Sequence, residues 1–167
     1  YVDFYHEELL KNESYSFVRD YLKDRSLDKD QVKKFKIGYV EKKPNFFDKL
    51  KNNFNTEDLL ETGLFYFDEK KKIYIERFKG RLIFPINNIS GQPIALGGRI
   101  IEKSDFLAKY INSPETSFFK KGSNLYNLDK SRKLSNKLDY VYLVEGYMDV
   151  IGLYKNDIKN VVANLGT

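Results

Sequence analysis

The stretch that most restricts what this chain can fold into is Leu143–Val150, LVEGYMDV, with the apolar run leading into it. Tyr140-Val141-Tyr142-Leu143-Val144 is β-branched and aromatic without a polar break, the pattern of a strand buried on both faces of a sheet. The run stops at Glu145-Gly146, and Tyr147–Tyr154 then carries apolar residues at helical spacing. A second buried strand is expected over Asn160–Asn164, so the order is strand, helix, strand, a βαβ unit. In α/β sheets the carboxyl end of such a strand is where chemistry is placed. Glu145 sits there, and Asp149 follows on the first helical turn. Two acids at this edge could hold a hard cation such as Mg²⁺, which takes oxygen ligands. Equally, Glu145 could be a solvated strand end and Asp149 a first-turn acid complementing the helix dipole. Spacing alone does not choose. A lone βαβ unit leaves its sheet edges unpaired, so the fold is expected to continue beyond Thr167.

Other function classes fall away on composition. With no cysteine there can be no disulfide and no thiolate-bound zinc in these residues. The single His6 excludes a His-cluster metal site and disfavours a Ser-His-acid triad. No apolar run is long enough to span a bilayer and no signal peptide opens the chain, so no membrane partner is expected, and a cytoplasmic location is compatible with the composition. The formal net charge of +5 favours a polyanionic partner, because Lys and Arg release counterions from a phosphate backbone.

The chain changes character along its length. Residues 2–11 and 13–24 read as helices, and Asp28 with Gln31 resembles a cap opening a short helix through Phe35. A short strand at 37–40 and two short helices at 45–52 and 56–61 follow, the second ended by Gly63. Residues 64–67, 72–76, 82–86 and 93–100 suit antiparallel strands, the last two joined by the turn 88–92. A polar connection over 101–108 leads to a polar turn at YINSPET, 110–116, and a helix over about 129–136 precedes the central strand. The fold class expected is α+β. A helical part (1–63) and a β-rich basic part (64–137) form one subdomain, 1–137, and an α/β segment begins at 138–167.

Cations punctuate the β-rich part. Arg77, Lys79 and Arg81 alternate, so on a strand they would share one face, where they repel unless an anion lies opposite. Gly97-Gly98 ahead of Arg99 permits a close backbone approach. Lys109-Tyr110 and Lys120-Lys121 lie near aromatic residues, a combination that suits single-stranded nucleic acid, although Phe118-Phe119 reads better as core. Asn112, Ser113 and Thr116 could bind phosphate or base edges, or satisfy a tight loop.

Taken together, ERFKGRLIFPI (76–86), GQPIALGGRI (91–100), KYINSPET (109–116), FKKGSNLYNL (119–128), LVEGYMDV (143–150) and NLGT (164–167) closely resemble one family, in that family's order. It is the RNA polymerase core of bacterial DnaG-type primases, and YLKDRSLDKDQVKKFKIGYV (21–40) resembles its segment ahead of the basic strands. The resemblance covers essentially the whole chain. It implies that 138–167 begins a TOPRIM domain, with Glu145 as the TOPRIM glutamate of a metal-dependent nucleotidyl transfer and Asp149 as the acid after it. Glu145 would be the metal ligand or a proton carrier for Mg²⁺ or Mn²⁺. Arg99, Lys109, Tyr110 and Lys121 match basic-groove positions facing template or nucleotide, with Arg25 and Asn112 beside them. Arg77, Lys79 and Arg81 match positions at the nucleotide phosphates. Two departures stand out: Ser26 where the family usually has Gly, and Lys79 where Arg is common, which weakens any bidentate phosphate contact there.

The implied partners are a single-stranded DNA template, ribonucleoside triphosphates, the RNA primer–DNA hybrid and a replicative helicase, at a bacterial replication fork. The family's zinc-binding domain, its paired TOPRIM aspartates and its helicase-binding domain lie outside this sequence, so 1–167 alone is expected to polymerise little or not at all. The rival readings are another TOPRIM enzyme, a topoisomerase or nuclease, and a single-stranded DNA-binding module without catalysis.

Overall fold

The computed structural model describes residues 1–102 and 104–166. Lys103, in the polar connection, and Thr167, the last residue of the NLGT motif, lie outside the described residues. The chain opens with α1 (Val2–Lys11), a 3-10 turn (Glu13–Tyr15), α2 (Ser16–Asp24) and α3 (Lys29–Lys34). Arg19 locks the first two helices together by donating to the carbonyls of Leu9 and Asn12 at the end of α1, at 2.9 and 2.7 Å. Ser26 breaks the chain after α2 in the left-handed region (φ 58°), a conformation that Gly reaches at less cost. Asp28 then caps α3, accepting from the amides of Asp30 and Gln31.

Next come β1 (Gly38–Val40), α4 (Phe46–Leu50), α5 (Thr56–Glu61), and a separate hairpin of β2 (Phe65–Asp68) and β3 (Ile73–Glu76). The main sheet adds β4 (Arg81–Asn87), β5 (Pro93–Ile100) and β6 (Tyr110–Asn112) to β1, in the order β1-β4-β5-β6, all antiparallel. Side chains alternate across it. Tyr39, Leu82, Phe84, Ile86 and Ala95 enter a core shared with α2, α3 and the C-terminal segment. Val40, Ile83 and Leu96 enter a second core with Tyr5, Phe46, Phe47, Phe65 and Phe78. Burial on both faces is why Leu82–Ile86 is apolar without interruption.

The C-terminal segment comprises α6 (Leu128–Leu138), β7 (Tyr142–Val144), α7 (Tyr147–Lys155) and β8 (Val161–Ala163), with β7 and β8 parallel as the βαβ reading requires. It shares a core with the rest of the chain: Tyr147, Val150, Ile151, Val161, Ala163 and Leu165 belong to the cluster that holds Leu9, Val18 and Phe84. Tyr126 exchanges backbone hydrogen bonds with Ala163, at 2.9 and 3.2 Å, extending β8 on its free edge.

Four expectations differ from the structure. Phe118-Phe119 is not core as a pair: Phe119 is buried, whereas Phe118 is 81% exposed. Among the described residues nothing covers most of the run 140–144: Leu143 is 63% exposed and Tyr140, Val141 and Tyr142 are also open, while Val144 is half-buried against the core. Among the described residues β7 has one strand neighbour, and it is β8, flanked on both edges, that is enclosed. YINSPET is not wholly a turn, since its first three residues form β6. Arg77, Lys79 and Arg81 do not share a strand face, because β3 ends at Glu76 and residues 77–80 form a turn before β4.

Candidate functional site

Register places the site. On β5, Arg99 lies opposite Leu82 of β4 and Tyr110 of β6, and Gly97 lies opposite Phe84 and Asn112. Arg99, Tyr110, Gly97 and Asn112 therefore share the sheet face toward α2 and α7. Arg99 is only 4% exposed, and its guanidinium donates to the Tyr110 hydroxyl at 2.8 Å. The guanidinium carbon sits 5.3 Å from the Tyr110 ring centroid and 5.7 Å from that of Tyr21, on α2. Its Nε is buried without a partner. Arg25, one helical turn beyond Tyr21 and exposed, lies 5.4 Å from the same Tyr21 ring.

The glycine pair lets rings approach the sheet from both sides. A Cβ on Gly97 would lie 2.3 Å from the Tyr147 ring, and one on Gly98 would lie 2.5 Å from Phe78 on the opposite face. Tyr147 stacks on Phe84, with centroids 5.1 Å apart and planes within 4°. Its hydroxyl donates to Oδ1 of Asn112, whose Nδ2 donates to the Leu165 carbonyl. Both ends of the Asn112 amide thus bond within the chain. Burial raises the Tyr147 phenol well above its ordinary pKa, keeping it a neutral donor.

The acids stand at the end of this ladder of rings. Gly146 opens α7; exposed Glu145 precedes it at the end of β7, and exposed Asp149 is the acid of its first turn. The Tyr110 phenol is raised by burial first; the Arg99 charge opposes that and the Asp149 charge adds to it, so Asp149 lies within electrostatic reach of Tyr110. Among the described residues no group of three His, Cys, Asp or Glu side chains could hold a metal. Two exposed carboxylates fit Mg²⁺ nonetheless, since that ion keeps several waters and is bound through one or two carboxylates plus substrate phosphates.

The remaining cations are spread out. Arg77 donates through Nε to the Gly63 carbonyl at 2.8 Å and lies over Tyr66, whereas Lys79 is exposed in the turn. Arg81 is buried on the sheet face opposite Arg99, donating to the Lys109 carbonyl at 3.3 Å, and desolvation lowers its pKa. Lys109 is exposed at the start of β6, and Lys121 is exposed on a 3-10 turn (Lys121–Ser123). Every ion pair among the described residues uses a lysine. Arg19, Arg25, Arg77, Arg81 and Arg99 meet carbonyls or rings instead, so no carboxylate among the described residues neutralises their charge. Tyr21 and Tyr147 escaped the sequence reading. The Tyr21–Arg25 spacing of four was the only signal for the first, and nothing local marked the second as the ring over Gly97.

Residues 4–132 match the family model described as DNA primase catalytic core, N-terminal domain, and residues 139–167 match a Toprim domain. The chain is 40% identical over 161 residues to a DNA primase of Lactococcus lactis, covering 95% of this chain and 25% of that protein. It also resembles the crystal structure of a DNA primase domain from Pseudomonas aeruginosa, with 36% identity, a TM-score of 0.89, and coverage of 99% of this chain and 52% of that one. A DnaG primase catalytic domain solved bound to single-stranded DNA is 32% identical with a TM-score of 0.86, covering 99% of this chain and 51% of that one. The chain thus spans about a quarter of the length of its first curated relative and about half of these solved chains.

Proposed function

Since the chain belongs to the family of DnaG-type DNA primase catalytic cores, we propose that it is the template-binding and metal-proximal part of a primase. The parent protein would synthesise RNA primers on single-stranded DNA from ribonucleoside triphosphates. The observation that carries this reading is the juxtaposition of guanidinium charge without carboxylate partners and exposed acids at the end of a parallel strand. The first attracts a polyanion and the second can address a phosphate through a cation.

Exposed Arg25, Lys109 and Lys121 follow the template backbone, and half-open Tyr110 offers a ring to a base. Arg99, buried beneath Tyr110, adds positive field and fixes that ring. Arg77, Lys79 and Arg81 neutralise nucleotide phosphates, with Lys79 the freest to reach them. Asn112 holds the carboxylate-bearing segment against the sheet in addition to any contact with nucleic acid. The Toprim match implies metal-dependent catalysis in general; for this chain Mg²⁺ or Mn²⁺ is the proposed ion, with Glu145 its ligand and Asp149 beside it. When bound, such an ion stabilises charge on the attacking and leaving oxygens of an in-line displacement at phosphorus. Glu145 holds that ion or accepts the proton of the attacking hydroxyl, and Asp149 keeps the potential negative at the strand end. The RNA primer–DNA hybrid and a replicative helicase are partners of the parent protein, in the bacterial cytoplasm.

The test is primer synthesis by the parent protein with Mg²⁺, ribonucleotides and a single-stranded template. Glu145→Gln is expected to lose synthesis while keeping template affinity, and Lys109→Ala to weaken affinity. A wild-type parent that binds DNA in a salt-sensitive way and makes no RNA would favour a binding module.

A further inference from the structure

We propose that Tyr21 is a positioning residue whose ring, packed beside the buried Arg99 guanidinium, sets the exposed guanidinium fork of Arg25 against the phosphodiester backbone of the template. The inference rests on the template-binding reading above and adds a residue to it.

The two arginines come from different elements, the end of α2 and the middle of β5, and meet only at the Tyr21 ring, at 5.4 and 5.7 Å. Two like charges at one place repel, and neither has a carboxylate partner among the described residues. The negative face of the ring offsets part of that cost. A carboxylate would neutralise a guanidinium and occupy its in-plane N–H donors. A ring engages the flat face and leaves the edge free, and the edge is what meets phosphate in a two-point contact. Arg99, 4% exposed, lies near both rings, gives one N–H to the Tyr110 hydroxyl and has its Nε buried, so it contributes positive field behind the Tyr21 ring while Arg25, exposed, keeps its edge open to phosphate. Tyr21 itself is half-buried and leans against the core beside Val18 and Leu22. That anchoring gives the ring a fixed position from which to order a flexible surface side chain such as Arg25.

The experiment measures binding of a fluorescent oligo(dT) by the parent protein across a salt series, for wild type, Tyr21→Phe, Tyr21→Leu and Arg25→Lys. Tyr21→Phe keeps the ring and should match wild type. Tyr21→Leu should weaken binding roughly tenfold, the scale of one or two cation–π contacts. It should also flatten the salt slope by about 0.7 for each phosphate of a single strand that is no longer neutralised. Arg25→Lys keeps the charge but not the flat fork; being exposed, it should fold normally and bind more weakly. In a Tyr21→Leu background the same change should cost almost nothing further.

Wild-type affinity and slope in Tyr21→Leu would overturn the inference. So would a loss that Tyr21→Phe fails to restore, or an Arg25→Lys cost independent of residue 21. Should Tyr21→Leu not fold, Arg25→Lys decides, and unchanged binding there overturns the proposal. Failure of wild type to bind oligo(dT) in a salt-dependent way would instead defeat the template-binding reading, and this inference with it.

Discussion

The Tyr147 hydroxyl donates to Oδ1 of Asn112, and this bond ties the first turn of α7 to the edge strand β6 of the basic sheet. Because Asn112 also donates to the Leu165 carbonyl, a single amide clamps both ends of the α7–β8 unit to the sheet. Glu145 and Asp149 flank Tyr147 in sequence, so the clamp sets where the carboxylates stand relative to Arg99. Removing the hydroxyl with Tyr147→Phe preserves the stack on Phe84 and leaves Oδ1 without its donor. A cost of about 1–2 kcal/mol is expected, read as a lower urea midpoint at unchanged slope. In the parent protein, primer synthesis should fall more than template affinity.

Gly97→Ala is expected to destabilise the chain by about 1–3 kcal/mol, the usual cost of overpacking. Its Cβ would stand 2.3 Å from a buried ring that is already stacked on Phe84. Gly122→Ala, whose Cβ meets nothing within 4 Å, is the control and should leave the melting temperature unchanged. Adding Tyr147→Leu to Gly97→Ala should recover more of the loss than Tyr147→Phe, which removes the hydroxyl contact at 2.4 Å and leaves the ring atoms at 2.3 and 2.6 Å.

Glu76 gives the fold a pH dependence. Its carboxylate is buried, accepts from the Tyr5 hydroxyl at 2.9 Å and the Phe46 amide at 2.7 Å, and is nevertheless raised above its ordinary pKa of 4.5 because burial outweighs those bonds. A carboxyl raised on folding contributes stability that is complete below the unfolded pKa and is lost as pH rises through the folded one. Melting temperatures of wild type and Glu76→Gln, compared at pH 4 and pH 7, should show wild type losing ground at the higher pH. A wild type that instead gains on the variant with rising pH would contradict this.

The exposure of β7 separates two apolar strands that look alike in sequence. Leu143→Thr should change the stability of the chain 1–167 by no more than about 0.5 kcal/mol, as for an ordinary surface position. Val162→Ala, in the enclosed partner strand, should cost about 1–3 kcal/mol. Denaturant titration of the two variants side by side decides it.

Most of the fold was legible in the sequence because it rests on local rules. Helices at 2–11 and 13–24, the Asp28 cap, the strand–turn–strand over 82–100 and the βαβ order of 140–164 all follow from periodicity, capping and turn chemistry between near neighbours. The motif order likewise carried the family. What tertiary structure decided concerns residues far apart in the chain. Whether an apolar run is buried depends on what covers it, so within residues 1–167 β8 is enclosed and β7 left open although both read as buried strands. Whether alternating cations share a face depends on where a strand stops: β3 stops at Glu76 and residues 77–80 turn, so of Arg77, Lys79 and Arg81 only Arg81 lies on a strand. The ring that meets a guanidinium, or the glycine that makes room for a ring, is fixed by packing across 78 residues for Tyr21 and Arg99 and across 50 for Gly97 and Tyr147. No short-range preference encodes those distances. They arise because one shared core brings α2, β5 and α7 to the same face of the sheet.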